Sequence, residues 1–311
     1  MSGVALAAGY AADAAFGDPR RFHPVAGFGR LAAALERVDY APSRIRGTFH
    51  AAALVLAAAL AAEGMARAAG RTRLGRGAVL AIVTWAALGG RSLAREAGRL
   101  AARLEADDLD GARAALPSLC GRDPERLDAA GLSRATVESV AENTADAVVG
   151  ALFWAAVAGP AGVVGYRAAN TLDAMVGHRS ERYASFGWAA ARLDDLAGWP
   201  AARSTVLLTA ALAPLVGGSP REALATARRD GGAHPSPNAG RVEAAFAGAL
   251  GLRVGGPLAY GGRVEDRPAL GAGRAPVPAD IARAVRLSLA VGVAAAALAA
   301  GARALRTGRR S

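Results

Sequence analysis

Residues able to do chemistry gather at a few places along the chain. In Ser139-Val140-Ala141-Glu142-Asn143-Thr144-Ala145-Asp146, Glu142 and Asp146 are four apart and Asn143 and Asp146 three apart, so on a helix they share one side. Two carboxylates and an amide oxygen on one face suit a hard cation such as magnesium. The same spacing also describes a helix start with acids in its first turn, where the dipole favours them. In Tyr166-Arg167-Ala168-Ala169-Asn170-Thr171-Leu172-Asp173, Asn170 and Asp173 again share a face, with Arg167 one turn earlier. Further on, Asp194 and Asp195 are adjacent, and adjacent carboxylates repel unless a cation or an Arg stands between them. Arg192 is placed to pair with Asp195, which leaves Asp194 as the better ligand candidate; Arg203 stands at the mouth of the next apolar stretch.

Two other stretches combine Asp, His, Pro and Gly: Gly17-Asp18-Pro19-Arg20-Arg21-Phe22-His23-Pro24, and Arg229-Asp230-Gly231-Gly232-Ala233-His234-Pro235-Ser236-Pro237-Asn238. Pro and Gly fix such backbone and hold polar groups for a ligand. A lone His is more often a hydrogen-bonding residue than a ligand, so His23 and His234 carry both readings. His50 and Cys120 read as structural. The four Trp residues lie in or near apolar runs and suit anchoring at a membrane interface.

These groups stand at the ends of five stretches without charge: Gly47 to Ala62, Gly77 to Gly90, Ala147 to Tyr166, Ser204 to Pro220 and Leu287 to Ala302. A spanning helix needs about 20 apolar residues. Only Ala147 to Tyr166 reaches that length, yet five such runs are hard to bury in one soluble core. The expected fold is therefore all-α: a polytopic integral membrane protein. Met1 to Phe16, apolar apart from Asp13 and without a basic start, reads as a membrane or core helix, not a cleaved signal. If Ala147 to Tyr166 crossed once, the acids before and after it would face opposite sides. Gly159-Pro160 at its centre predicts a re-entrant helical hairpin instead, since irregular backbone at depth is tolerated where protein covers it.

The linear organisation reads as membrane helices with the Asp-His motif over 1–90, an amphipathic helical region over 91–146, and a membrane and motif region over 147–220. A Gly/Pro-rich substrate loop with little regular structure follows over 221–283, then a membrane helix and basic tail over 284–311. Within the amphipathic region, Pro117 and Gly121 to Pro124 break the helical pattern.

Composition narrows the classes. Of 311 residues, 53% are hydrophobic, too many for a disordered chain. The net charge is +11, and all 37 basic residues are Arg, a bias that weakens the case for an anionic macromolecule. No grouping of Arg with aromatics marks a nucleic-acid reader. Without Lys there is no lysine Schiff base and no P-loop lysine. One cysteine excludes a disulfide framework. Arg67, Arg71, Arg73 and Arg76, and Arg303, Arg306, Arg309 and Arg310, suit helix ends at headgroups, the last group marking the cytoplasmic side.

The strings GDPRRFHPVAGFGR, SVAENTADAVVGALFW, YRAANTLDAMVGHRSERYASFGWAAARLDDL and RDGGAHPSPNAGRVEAAFAGALGLRVGGPLAYGG resemble, in order, the motifs of the membrane-bound CobD/CbiB family, the adenosylcobinamide-phosphate synthases of cobalamin biosynthesis. The resemblance implies an ATP-dependent amide ligase. It would join the free propionate carboxylate of adenosylcobyric acid to (R)-1-aminopropan-2-ol O-phosphate or aminopropanol, through an acyl phosphate. It further implies ATP and magnesium as cofactors, corrinoid and amino-alcohol substrates, a prokaryotic cytoplasmic membrane, and a place beside other membrane enzymes of late cobalamin assembly, without nucleic acid. On that basis magnesium would fall to Glu142, Asp146, Asp173 and Asp194. Catalysis would involve Asn143, Asn170, Asp195 and Arg192. Substrate binding would fall to Asp18, His23, Arg167, Arg203, Asp230, His234, Ser236 and Asn238. The alternatives are a magnesium-dependent membrane prenyl or phosphatidyl transferase, which calls for a repeated Asp motif, and a non-enzymatic sensor or transporter relative, which calls for charges inside the membrane.

Overall fold

A computed structural model describes residues 2–19, 23–178, 180–260 and 263–308. Met1, Arg20, Arg21, Phe22, Arg179, Gly261, Gly262, Arg309 and Arg310, which the motifs and flanks above include, lie outside the described residues, as do the side chains of Arg71 and Arg73. Thirteen α-helices are present among the described residues: α1 (Ser2–Phe16), α2 (Pro24–Asp39), α3 (Arg44–Ala68), α4 (Arg73–Ala87), α5 (Gly90–Glu105), α6 (Leu109–Ala115), α7 (Ala129–Asn143), α8 (Gly150–Leu172), α9 (Tyr183–Phe186), α10 (Trp188–Leu212), α11 (Pro220–Arg229), α12 (Ala239–Leu250) and α13 (Pro278–Gly308). One antiparallel hairpin, β1 (Val254–Tyr260) with β2 (Arg263–Leu270), stands between α12 and α13. Helix starts follow the local chemistry. Thr72, Asp108 and Asp128 accept hydrogen bonds from the first-turn amides of α4, α6 and α7, and Ser219 does so for α11, which opens on Pro220.

Five helical segments among the described residues are long and apolar enough to cross a bilayer: Arg44–Ala68, Leu74–Glu105, Ala129–Gly177, Trp188–Val216 and Pro278–Arg306. Each carries all or most of one charge-free run, lengthened because polar residues beside the run stay helical. Large apolar side chains point outward from them, including Ile45, Phe49, Leu56 and Leu60 on α3 and Leu289, Val293 and Leu298 on α13. Apolar exposure on this scale fits hydrocarbon as the solvent. The protein is an all-α polytopic membrane protein.

The chain forms two compact units, Met1–Gly89 with Asp146–Pro200 and Ala295–Ser311, and Gly90–Ala145 with Ala201–Ala294. In the first, α3 and α4 pack on α8, and α1 packs on α4. A buried cluster of Ala32, Ala51, Leu54, Leu172, Val176, Phe186 and Ala190 closes its core. His50 belongs to this packing: its Nδ1 lies 2.8 Å from Asp39 Oδ2 and its ring 5.1 Å from Phe186. Trp85 and Trp154 tie elements together, each donating its indole N–H to a backbone carbonyl at 2.9 Å, of Gly17 and Ala197 respectively.

Helix α8 is two half-helices. Gly159 has φ 66° and ψ −144°, a conformation open to glycine alone, and Pro160 starts the second half without needing an N–H partner. Arg303 and Arg306 donate at 3.1 Å to the carbonyls of Ala156 and Val157, which end the first half. The halves fold back on each other. Asp146 and Asn170, 24 residues apart, hydrogen-bond, whereas a straight helix would separate them by about 36 Å. The helical hairpin read from Gly159-Pro160 is thus present.

The second unit corrects one expectation. The segment 221–283, read as a loop with little regular structure, holds α11, α12 and the β hairpin. Its punctuation includes Gly251 (φ 68°), which closes α12, and Pro278, which opens α13, while Pro220, just before the segment, opens α11. Between them the Ala-rich α12 buries most of its surface, Phe246 included, and packs on α11 and α7.

Candidate active site

Two polar constellations stand out, one in each unit. The first is built on the helical hairpin. Asp146 sits in a π-helical turn, Thr144–Val149, and Asp173 opens another, Asp173–Gly177. Such turns re-aim side chains and recur at functional sites. Asn170, near the end of the second half-helix, donates its amide to Asp146 Oδ2 at 3.4 Å and to Asp194 Oδ1 at 3.2 Å. Its Oδ1 accepts from Arg167 Nη1 at 2.7 Å, and because an Arg can only donate, this contact fixes the amide with its N–H groups toward the acids. Tyr166 lies one turn before Asn170, its ring packed against Gly150, where a Cβ would come within 2.6 Å of Tyr166 Cε1. The residue is only 3% exposed, and its hydroxyl makes no hydrogen bond. The charges of Asp146, Asp194 and Arg167 act on it.

Arg192 Nη1 pairs with Asp195 Oδ2 at 3.2 Å, leaving Asp194 to face Asn170 as its neighbour's pairing requires. Asp173 folds back on its own turn toward Gly177. Asp18 and His23 approach to 3.9 Å, and His23 Nδ1 accepts from Val25 N to start α2.

The second constellation lies among α7 and the loop before it, α12 and the loop before it, and the β hairpin. Arg122 and Glu138 form an ion pair with side chains only 7% and 2% exposed, and Gly255 N donates to the other Glu138 oxygen at 2.5 Å. Glu142 and Glu243 share the electrostatic field of Glu138, Arg122 and Arg267. Burial, then the charges of Glu138 and Glu142, hold the Glu243 carboxyl well above the usual carboxylate range. His234 Nε2 lies 2.9 Å from Arg267 Nη1. Its Nδ1 accepts from the Ser236 amide at 3.0 Å. Burial and the Arg267 charge hold this imidazole below its ordinary value, in its neutral form. Ser236 Oγ accepts from the amides of Asn238 and Ala239. Asn238 Oδ1 accepts from Arg203 Nη1 at 2.5 Å. Asp230 is held below the usual range by paired hydrogen bonds from Arg229 and by the Gly271 amide. Asn143 donates to Ser139 O at 2.9 Å.

The structure thus brings together Arg167, Asn170, Asp146 and Asp194 in the first unit, and in the second Arg203 with Asn238 and Ser236 with His234. Glu142 stands with Glu138 and Glu243, and Asp146 with Asn170 and Asp194. Sequence reading missed Tyr166, Arg122, Glu138, Glu243 and Arg267. Two of these carried a signal: Tyr166 is four residues before Asn170, and Glu138 four before Glu142. Glu243 sits in an apolar helix where spacing points to no partner, and Arg122 and Arg267 are distant in sequence.

Among the described residues, no three His, Cys, Asp or Glu side chains are grouped to enclose a metal ion. The donor set of Asp146 and Asp194 around an amide still fits magnesium, which takes one or two carboxylates and completes its octahedron with waters and substrate phosphates.

An all-α membrane protein with an acid, amide and arginine cluster on a helical hairpin is the class that fold and site define. Residues 6–288 match the family model described as CobD/Cbib protein, and the chain belongs to that family. It is 54% identical over 296 residues to the cobalamin biosynthesis protein CobD of Mycobacterium tuberculosis (strain ATCC 25618 / H37Rv), covering 95% of this chain and 94% of the relative. The protein of the same name from Rhodobacter capsulatus is 43% identical over 272 residues, covering 85% and 84%. No solved structure matches the chain.

Proposed function

We propose that this cobalamin-biosynthesis family member is an ATP-dependent amide ligase, converting adenosylcobyric acid and (R)-1-aminopropan-2-ol O-phosphate, or aminopropanol, to adenosylcobinamide phosphate or adenosylcobinamide. The observation that carries the reading is the Arg167–Asn170–Asp146–Asp194 cluster in a polytopic member of this family. In the first step the corrin carboxylate attacks the γ-phosphorus of ATP, forming an acyl phosphate and ADP. The amine then attacks the acyl carbon, and phosphate leaves. Such chemistry asks a protein for positioning and charge neutralisation. Magnesium, when bound, would neutralise phosphate charge, and Asp146 and Asp194 would hold it. Arg167 would hold phosphoryl oxygens while setting the Asn170 amide.

Arg203, Asn238, Ser236 and His234 would bind the amino-alcohol or corrinoid side chains, with His234 kept neutral by burial and by the Arg267 charge. The reading puts the protein in the cytoplasmic membrane of a prokaryote, beside other membrane enzymes of late cobalamin assembly. The test is the purified protein with ATP, magnesium, adenosylcobyric acid and aminopropanol phosphate. Mass-detected amide product with stoichiometric ADP is expected; absence of product, together with failure to rescue a corrinoid auxotroph, rejects the reading.

A further inference from the structure

We propose that Tyr166 is the nucleotide-recognising donor of the hairpin cluster: its hydroxyl donates to a phosphoryl oxygen of ATP held at Asp146, Asn170 and Asp194, and is not needed for the cation alone. The inference rests on the ligase reading and adds a residue to it. A buried donor without an acceptor is destabilising, because it has given up its hydrogen bonds to water and gained none in return. Tyr166 carries such a group: its hydroxyl packs against Gly150, one turn after Asp146, within the electrostatic reach of Asp146 and Asp194. Arg167, the next residue, is in the same condition: Nη1 binds Asn170 Oδ1, while its buried Nε has no partner. Two donors left over next to an acid pair point to an anionic acceptor supplied by a ligand, since a cation would occupy the acids and leave both donors unmet. A phosphoryl group bridged to the acids through a divalent cation meets both halves of the cluster.

The hairpin positions this hydroxyl. Gly150, on the first half-helix, leaves the space into which the Tyr166 ring of the second half fits. Tyr166→Phe therefore removes the hydroxyl and keeps the packing, and unchanged thermal unfolding checks this.

The experiment follows Mn2+ by electron paramagnetic resonance in detergent-solubilised full-length protein, with Mn2+ alone and with Mn2+ and the β,γ-imido analogue of ATP. Y166F is expected to bind Mn2+ alone within twofold of wild type and the analogue at least tenfold more weakly, the range of a hydrogen bond to a charged group. Unchanged analogue binding would overturn the proposal, as would an equal loss for Mn2+ alone, which would assign the hydroxyl to the acids. A wild type that forms amide product while Y166F binds the analogue normally sinks the Tyr166 role and leaves the ligase reading standing. A wild type that forms no product removes both.

Discussion

Asp146 and Asp194 turn their carboxylates toward one amide, and that amide is held from behind by Arg167. Replacing either acid by Asn keeps its shape but removes a charge that the proposed magnesium site would need. Asp146→Asn and Asp194→Asn are each expected to lower amide formation at least a hundredfold while shifting unfolding by no more than about 1–3 kcal/mol, the cost of a lost hydrogen bond. Product yield and thermal unfolding measured side by side check this. Glu243 offers a pH test. Its folded value is raised above 4.5, so the folded state holds the proton more tightly than the unfolded chain. Its contribution to stability is complete below about pH 4.5 and fades as pH rises through the folded value. Glu243→Gln fixes the neutral form, so its stability relative to wild type should increase from pH 5 to pH 8, with a pH-independent difference counting against the assignment. The pairing of Arg192 with Asp195, and with it the orientation of Asp194, was legible from three-residue spacing. Glu243 was not, because its partners come from α7, from the loop before it and from β2, all distant in sequence.

At the scale of elements, the hairpin of α8 decides whether the acids meet at all. Gly159-Pro160 announced the break, since glycine opens a region closed to other residues and proline ends the helical ladder. What the dipeptide did not announce is how the broken ends are satisfied. The carbonyls of Ala156 and Val157 lose their helical partners at the break, and Arg303 and Arg306, expected only as headgroup anchors, reach them. Gly159→Ala places a Cβ 2.8 Å from Arg303 Nη2 and forces alanine to φ 66°. The expected cost is about 1–3 kcal/mol of stability from the backbone alone. Because the hairpin carries Asp146 and Asn170, amide formation should fall with it, and an alanine variant of full stability and activity would show that the turn does not set the site. The segment 221–283 teaches the converse. Gly and Pro frequency suggested a loop, whereas their positions at helix ends, with alanine between them, encoded α11 and α12.

For the whole molecule, the charge-free runs carried the fold class because hydrocarbon imposes one rule on every span: backbone groups must be satisfied within the helix. All or most of each run is found inside a helix of spanning length. The helix limits were less legible, since the charge-free runs end at charged residues while the helices continue past them, through Arg44 in α3 and Asp194 in α10. The charge of +11 is carried by Arg both near helix ends, as Arg67 and Arg306, and within helices, as Arg95 and Arg99 of α5. Helix α3 allows the membrane assignment to be tested directly. Its 25 residues cover about 37 Å, enough to cross the hydrocarbon core. In a Cys120→Ser background, single cysteines at Ser43 and Gly70 bracket it. The native Cys120 is a poor competitor, because burial pushes its thiol up and keeps it protonated, but its removal leaves one reporter per protein. A membrane-impermeant maleimide should reach position 43 from one side of sealed vesicles and position 70 from the other. Labelling of both from the same side would take α3 out of the set of spans, and with it the reading of Ile45, Phe49, Leu56 and Leu60 as a lipid-facing surface.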